Sequence, residues 1–232
     1  MQPTELWAEI VQSEWWNTLS EVPTLALIAT VALLLVISWY IGWQQKWRRT
    51  QVMLAAVNDA TFGRCIPRSR TGAWGFAIGV QPPPERFREF NISYQPVSIF
   101  DPLDLLRLLF TRRRSTLQIA GVLTDAPTAE LIWLRGQPPA RTLGVNPGRT
   151  PWVQSQLEFG RAEYATRGTN VATLQHLFRD MYARFTPNLM TITIQRERRP
   201  HLRVVARGRI DARDISPLVT YARSLGRAAM LR

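Results

Sequence analysis

A single cysteine, Cys65, rules out any intrachain disulfide. Two histidines, His176 and His201, leave little material for a zinc site even with that thiol added. Lysine is almost missing. Lys46 is the only one, and every other base is arginine. A GC-rich genome produces that bias, and so does phosphate recognition by guanidinium forks; both readings stay open. Residues 1–45 contain no base at all, although they carry Glu5, Glu9, Glu14 and Glu21. All 29 basic residues therefore lie beyond them. No phosphate loop, dinucleotide fingerprint, HExxH or nucleophile elbow occurs. Nothing makes a positive case for an enzyme, and no cofactor or metal is expected.

What the sequence does have is one long apolar run. Thr24 to Trp43, TLALIATVALLLVISWYIGW, is 20 residues without a charge. At about 1.5 Å per residue it matches a hydrocarbon layer of roughly 30 Å. Trp39, Tyr40, Trp43 and Trp47 gather at its far end, and Trp15 and Trp16 precede it, as in an aromatic belt. A cleaved signal peptide fits poorly, because the front is acidic, the run is long and the residues after it are bulky. Lys46, Arg48 and Arg49 follow at once, so the positive-inside rule puts the C-terminal side in the cytoplasm. The expected organisation is a translocated acidic tail (1–23), a transmembrane helix (24–43), a juxtamembrane helix and basic linker (44–66) and a cytoplasmic α+β domain (67–232). In the tail, Leu6, Trp7, Ile10 and Val11 have helical spacing, which suits an interfacial helix; a disordered tail is the alternative.

The rest of the chain alternates strand and helix signals. Lys46 to about Phe62 continues the membrane helix until Gly63 and Pro67. GRCIPRSRTG reads as a loop. Ala73–Val80 and Arg88–Val97 read as strands. Asp101 suits an N-cap, Pro102 the first helical position and Asp104 the positive end of a helix running to about Arg112. Ser115–Thr124 and Ala129–Gln137 read as strands joined around Pro127. Residues 138–152, with four prolines, read as a loop, and Gln156–Gly168 is ambiguous. Asn170 is expected to cap a helix whose apolar face is Val171, Leu174, Leu177, Phe178, Met181 and Phe185. Met190–Arg198 and His201–Ile210 form a hairpin turning at Arg199-Pro200. A last helix begins at Asp211 or after Ser216. Hairpins with helices between them predict an antiparallel sheet with helices packed on it.

Two regions are candidates for contact. Leu103, Leu105, Leu106, Leu109 and Phe110 cover more than one stripe of their helix, and Arg112, Arg113 and Arg114 end it. Such a helix can lie in a headgroup layer and touch lipid or a membrane partner. It can equally be sandwiched between its own sheet and the anchor, with the arginines a solvated helix end. The second region is the hairpin bearing Arg196, Arg198, Arg199, Arg203, Arg207 and Arg209, which offers a phosphate-binding face or simply a solvated one. It has no aromatics for base stacking, so RNA would be read there only through backbone charge. His176 reads as a polar-face or packing residue and His201 as exposed at a hairpin tip. Cys65, beside Arg64 and Arg68, has no located base to make it a nucleophile.

The stretch FNISYQPVSIFDPLDLLRLLFTRRRSTLQIAGVLTDAPTAELIWL, with the closing run LQHLFRDMYARFTPNLMTITIQRERRPHLRVVARGRIDARDISPLVTYARSLGRAA, resembles the calumin-like family. Calumin is the coiled-coil-domain protein of the endoplasmic reticulum that belongs to the PAT complex. The likeness is one of pattern: strand, leucine-rich helix, basic turn and strand pair, then helix, hairpin and last helix. It covers about half of the chain. A translocated acidic tail, one membrane helix and a cytosolic domain are shared features. Calumin's long acidic luminal region and its long basic coiled coil are not matched, so neither calcium binding nor ribosome contact is carried over. The resemblance implies a non-enzymatic, chaperone-like or adaptor role in the insertion or folding of multipass membrane proteins, with insertase or translocon components as partners. The membrane would be that of the endoplasmic reticulum in a eukaryote and the plasma membrane in a prokaryote. An accessory structural subunit of a stable energy-converting or transport complex, or a basic RNA- or lipid-binding module, is the alternative.

Overall fold

The computed structural model describes residues 24–69, 74–111, 114–139, 151–157 and 163–231. The tail with its expected interfacial helix, most of the proline-rich loop, and Arg112 and Arg113 lie outside the described residues. The chain is α+β. Helix α1 (Thr24–Ala60) is followed by β1 (Cys65–Ser69), β2 (Phe76–Val80) and β3 (Phe87–Gln95). Helix α2 (Pro102–Thr111), β4 (Thr116–Leu123), β5 (Ala129–Leu134), β6 (Val153–Gln156) and β7 (Glu163–Gly168) come next. Helix α3 (Val171–Phe185), β8 (Leu189–Ile194), β9 (Leu202–Arg207), a short 3-10 turn (Ala212–Asp214) and α4 (Ile215–Ala228) complete it.

The nine strands form one sheet in the order β1-β2-β3-β4-β9-β8-β5-β7-β6, with every described pair antiparallel. The strands before and after Pro127 do not pair with each other. The β8–β9 hairpin, which comes much later in the chain, lies between them. Two further departures from the sequence reading concern edges. The GRCIPRSRTG stretch contains an edge strand, β1, in which Pro67 is tolerated beside a register shift. The other edge is β6, just before the ambiguous Gln156–Gly168 region, which itself supplies its neighbour β7.

One face of the sheet is covered by α3, α4 and the second half of α1. Alternation along the strands explains this. In β4, Leu117, Ile119 and Leu123 point to the core while Thr116, Gln118 and Val122 stay half-exposed. Trp133 of β5 meets Phe178 and Tyr182 of α3, and Tyr164 of β7 meets Phe178. Phe87 of β3 fills a gap that exists because Gly121 of β4 and Gly226 of α4 have no Cβ to fill it. Met53 and Val57 of α1 are fully inside this core, so the helix is part of the domain that follows it.

At 37 residues, α1 is about 55 Å long. Its two halves differ. Leu27 to Ile41 present large apolar side chains to the outside, whereas the half from Lys46 onward packs against the sheet and α4. The first half makes α1 long and apolar enough to cross a membrane.

His201 is not exposed as its hairpin position suggested. It is 7% exposed, and its Nδ1 accepts the backbone N–H of Leu123 at 3.1 Å. Burial, and then the charge of Arg199, hold its pKa below the ordinary value. Asn170 precedes α3 in a left-handed conformation and makes no side-chain capping bond.

Candidate functional site

The start of α2 is clamped to α1. Asp101 Oδ1 accepts the N–H groups of Leu103 (3.0 Å) and Asp104 (3.4 Å), which is the capping role its position suggested. Its second oxygen accepts from Lys46 Nζ. The same ammonium donates to Asp104 Oδ2 at 2.9 Å, and that oxygen also takes the Ser98 N–H at 3.2 Å. Lys46, Asp101 and Asp104 are 5%, 5% and 7% exposed. One ammonium thus serves two buried carboxylates. The surplus negative charge sits at the positive end of α2, with the Arg107 guanidinium 3.7 Å from Asp104 Oδ1. Burial pushes the Asp101 carboxyl up. The Lys46 hydrogen bond and charge, with the two capping N–H groups, outweigh that and hold it below the usual carboxylate value.

Towards the apolar end of α1 the contact becomes closer still. A Cβ on Gly42 would lie 2.6 Å from the Asp101 nitrogen, so only glycine lets helix and loop touch there. One turn further, Ser38 Oγ donates to the Phe100 carbonyl at 2.6 Å. Ser38 is five residues, about 8 Å along the axis, inside the apolar run that ends at Trp43. On the other side, Trp74 packs edge-on against Trp43 at 5.7 Å, and its carbonyl accepts from Thr50 Oγ1 at 2.7 Å.

The clamp leaves the outward surface of α2 bare. Leu103, Leu105, Leu106, Leu109 and Phe110 are all exposed, Phe110 to 84%. None of the five is sandwiched between α1 and the sheet. Ile99 and Phe100, in the loop bonded to Ser38, are exposed as well. A ledge about 15 Å long is therefore fixed beside an equally bare apolar helix. Arg114 is exposed at the far end of α2.

The six hairpin arginines Arg196, Arg198, Arg199, Arg203, Arg207 and Arg209 are all exposed. Arg203 and Arg207 project from β9 onto the sheet face that carries none of the described helices, Arg203 in register with Thr193 and both, across β4, with Ala120 and Thr116. Arg198, Arg199, Arg203 and Arg207, joined by Arg135, line a cleft of about 390 Å³ on that face. Arg196 and Arg209 are outside it; Arg209 lies 4.0 Å from Asp211. Arg135 is already committed to the carbonyls of Thr186, Pro187 and Leu189. Elsewhere, His176 is exposed on α3 and 3.2 Å from Asp180, and Cys65 Sγ lies 2.9 Å from Thr61 Oγ1.

Sequence reasoning missed Lys46, Ser38, Gly42 and Ser98 as parts of one contact. The solitary lysine was the visible signal, but its partners are 55 and 58 positions away.

No family model and no curated protein matches this chain.

Proposed function

We propose that the chain is a single-pass membrane protein acting as a non-enzymatic adaptor or chaperone-like subunit in the insertion or folding of multipass membrane proteins. The observation that carries this reading is the bare apolar ledge of α2, clamped beside the last turns of the apolar run by the buried Lys46–Asp101–Asp104 cluster. In water, a fully exposed leucine or phenylalanine forgoes about 1.5–3 kcal/mol of burial free energy, and a half-exposed one about half of that. A protein that fixes five of them on one surface with a buried ion cluster has placed them for lipid or for another apolar helix. Lys46, Arg48 and Arg49 after the run, and glutamates before it, support a cytoplasmic domain and a translocated N-terminus.

In this arrangement α2 lies at the cytoplasmic headgroup level. Its leucines cover part of a partner's transmembrane helix, and the charge of Arg112, Arg113 and Arg114 attracts lipid phosphates. The pattern-level likeness to calumin points the same way. Replacing Leu105, Leu106 and Leu109 with Ser tests the reading. Photo-crosslinks from α2 to lipid and to copurifying membrane proteins are expected to fall severalfold while α1 stays membrane-embedded. Unchanged crosslinking and unchanged partner recovery would overturn it. The same ledge would also serve an accessory subunit of a stable membrane complex. Fixed stoichiometry with redox or transport subunits after mild-detergent purification favours that second reading, and transient recovery with insertase or translocon components favours the first.

A further inference from the structure

The cleft on the uncovered sheet face carries an inference that does not depend on where α1 resides. Arg198 and Arg199 stand at one end of it, Arg203 in the middle and Arg207 at the other end, over a floor that includes Ile132 and Val205. Among the described residues none of these four arginines has a carboxylate within ion-pair distance. Arg203 donates only to a neutral amide oxygen, that of Gln118, at 3.2 Å. The nearby acid on β5, Glu130, is taken by Arg167, whose guanidinium also lies 4.5 Å over the Trp152 ring, and by the Arg196 N–H. The charge in the cleft is thus open to an outside anion.

We propose that this cleft binds an extended acidic segment of a partner protein, about six to eight residues long, in which carboxylates alternate with aliphatic side chains. The spacing argues for it. Arg203 and Arg207 lie four residues apart on one strand, about 13 Å, which is the distance between side chains i and i+4 on one face of an extended peptide. The arginines run the length of the hairpin, roughly 20 Å, so one phosphate or headgroup engages only one end. The aliphatic floor gives the intervening side chains a place to go. Nucleic acid fits less well, since among the described residues no aromatic lines the cleft for base stacking, and backbone phosphates make no use of an apolar floor.

The test uses the full chain in phosphatidylcholine nanodiscs at about 0.15 M salt. Fluorescence anisotropy is read with an acetylated, amidated peptide of repeating Glu-Leu, its Gln-Leu counterpart, and oligouridine. The acidic peptide is expected to bind at least about tenfold more tightly than either of the others. The Arg203→Gln/Arg207→Gln variant, with thermal unfolding as in the parent, is expected to lose about tenfold, and Arg198→Gln/Arg199→Gln to lose affinity independently. Equal binding of the two peptides, tighter binding of oligouridine, full displacement by micromolar pyrophosphate, or parental affinity in both variants would overturn the proposal.

Discussion

Lys46 is shared by two carboxylates in a place nearly closed to water, so its removal is costly for a specific reason. Lys46→Met keeps the stem and deletes the ammonium, leaving Asp101 buried without a cation and Asp104 with only the longer contact to Arg107. A broken buried pair costs about 3–5 kcal/mol. The expected result is loss of hydrogen-exchange protection over α2 and a lower unfolding temperature in detergent. Adding Asp101→Asn and Asp104→Asn to Lys46→Met is expected to restore part of the loss, since no bare charge remains. Acid acts on two residues with different windows. The Asp101 pKa is lowered in the folded state, so its contribution is complete above the ordinary carboxylate value and disappears as pH falls through the lower, folded one. His201 is also lowered, but as a base it behaves differently. Its contribution is complete above about 6.5, the unfolded value, and is lost as pH falls from there towards the folded value, because the unfolded chain binds the proton first. Stability is therefore expected to decline between neutral pH and pH 5, and His201→Gln, which keeps an acceptor for the Leu123 N–H, to flatten that decline. Equal slopes in chemical unfolding series would contradict the assignment.

At the scale of elements, α2 depends on close approach as much as on charge. Gly42→Leu drives a side chain into the backbone at Phe100 and Asp101. It is expected to lever α2 away from α1 while the nine-stranded sheet persists, seen as a loss of α2 protection with strand protection unchanged. The helices were legible because their signals are local. Asp101, Pro102 and Asp104 announce the start of α2, and twenty uncharged residues announce the first half of α1. Most strands were legible from alternation. The edge β1 was not, since CIPRS carries a proline, two polar residues and no alternation. Strand order was not legible either. The insertion of β8 and β9 between β4 and β5 is decided by contacts across the whole chain, as is the pairing of Lys46 with residues near position 100. The burial of His201 has the same origin, a partner in β4 that the hairpin sequence does not mention.

For the molecule as a whole, α1 sets the orientation. It runs beside the sheet from the end where β3 stops and β4 begins, so α2, Arg114 and the end of β9 at Arg207 share the end nearest the apolar run. The opposite end, with Arg198 and Arg199, points away from it. With α1 across a bilayer, the domain meets the headgroups with α2 and Arg114 together. Anionic lipid is then expected to hold α2 more firmly than neutral lipid, an effect weakened by salt. The most direct measurement is the immersion depth of α2. In a Cys65→Ser background, a spin label at Phe110→Cys in nanodiscs is read for collision with oxygen and with a water-soluble nickel chelate, beside labels at Val36→Cys and Arg203→Cys. With α2 at the headgroup level, the account predicts that Phe110 falls between the two, more shielded from nickel than Arg203 and less open to oxygen than Val36. A Phe110 label as open to nickel as the one at Arg203 would contradict it.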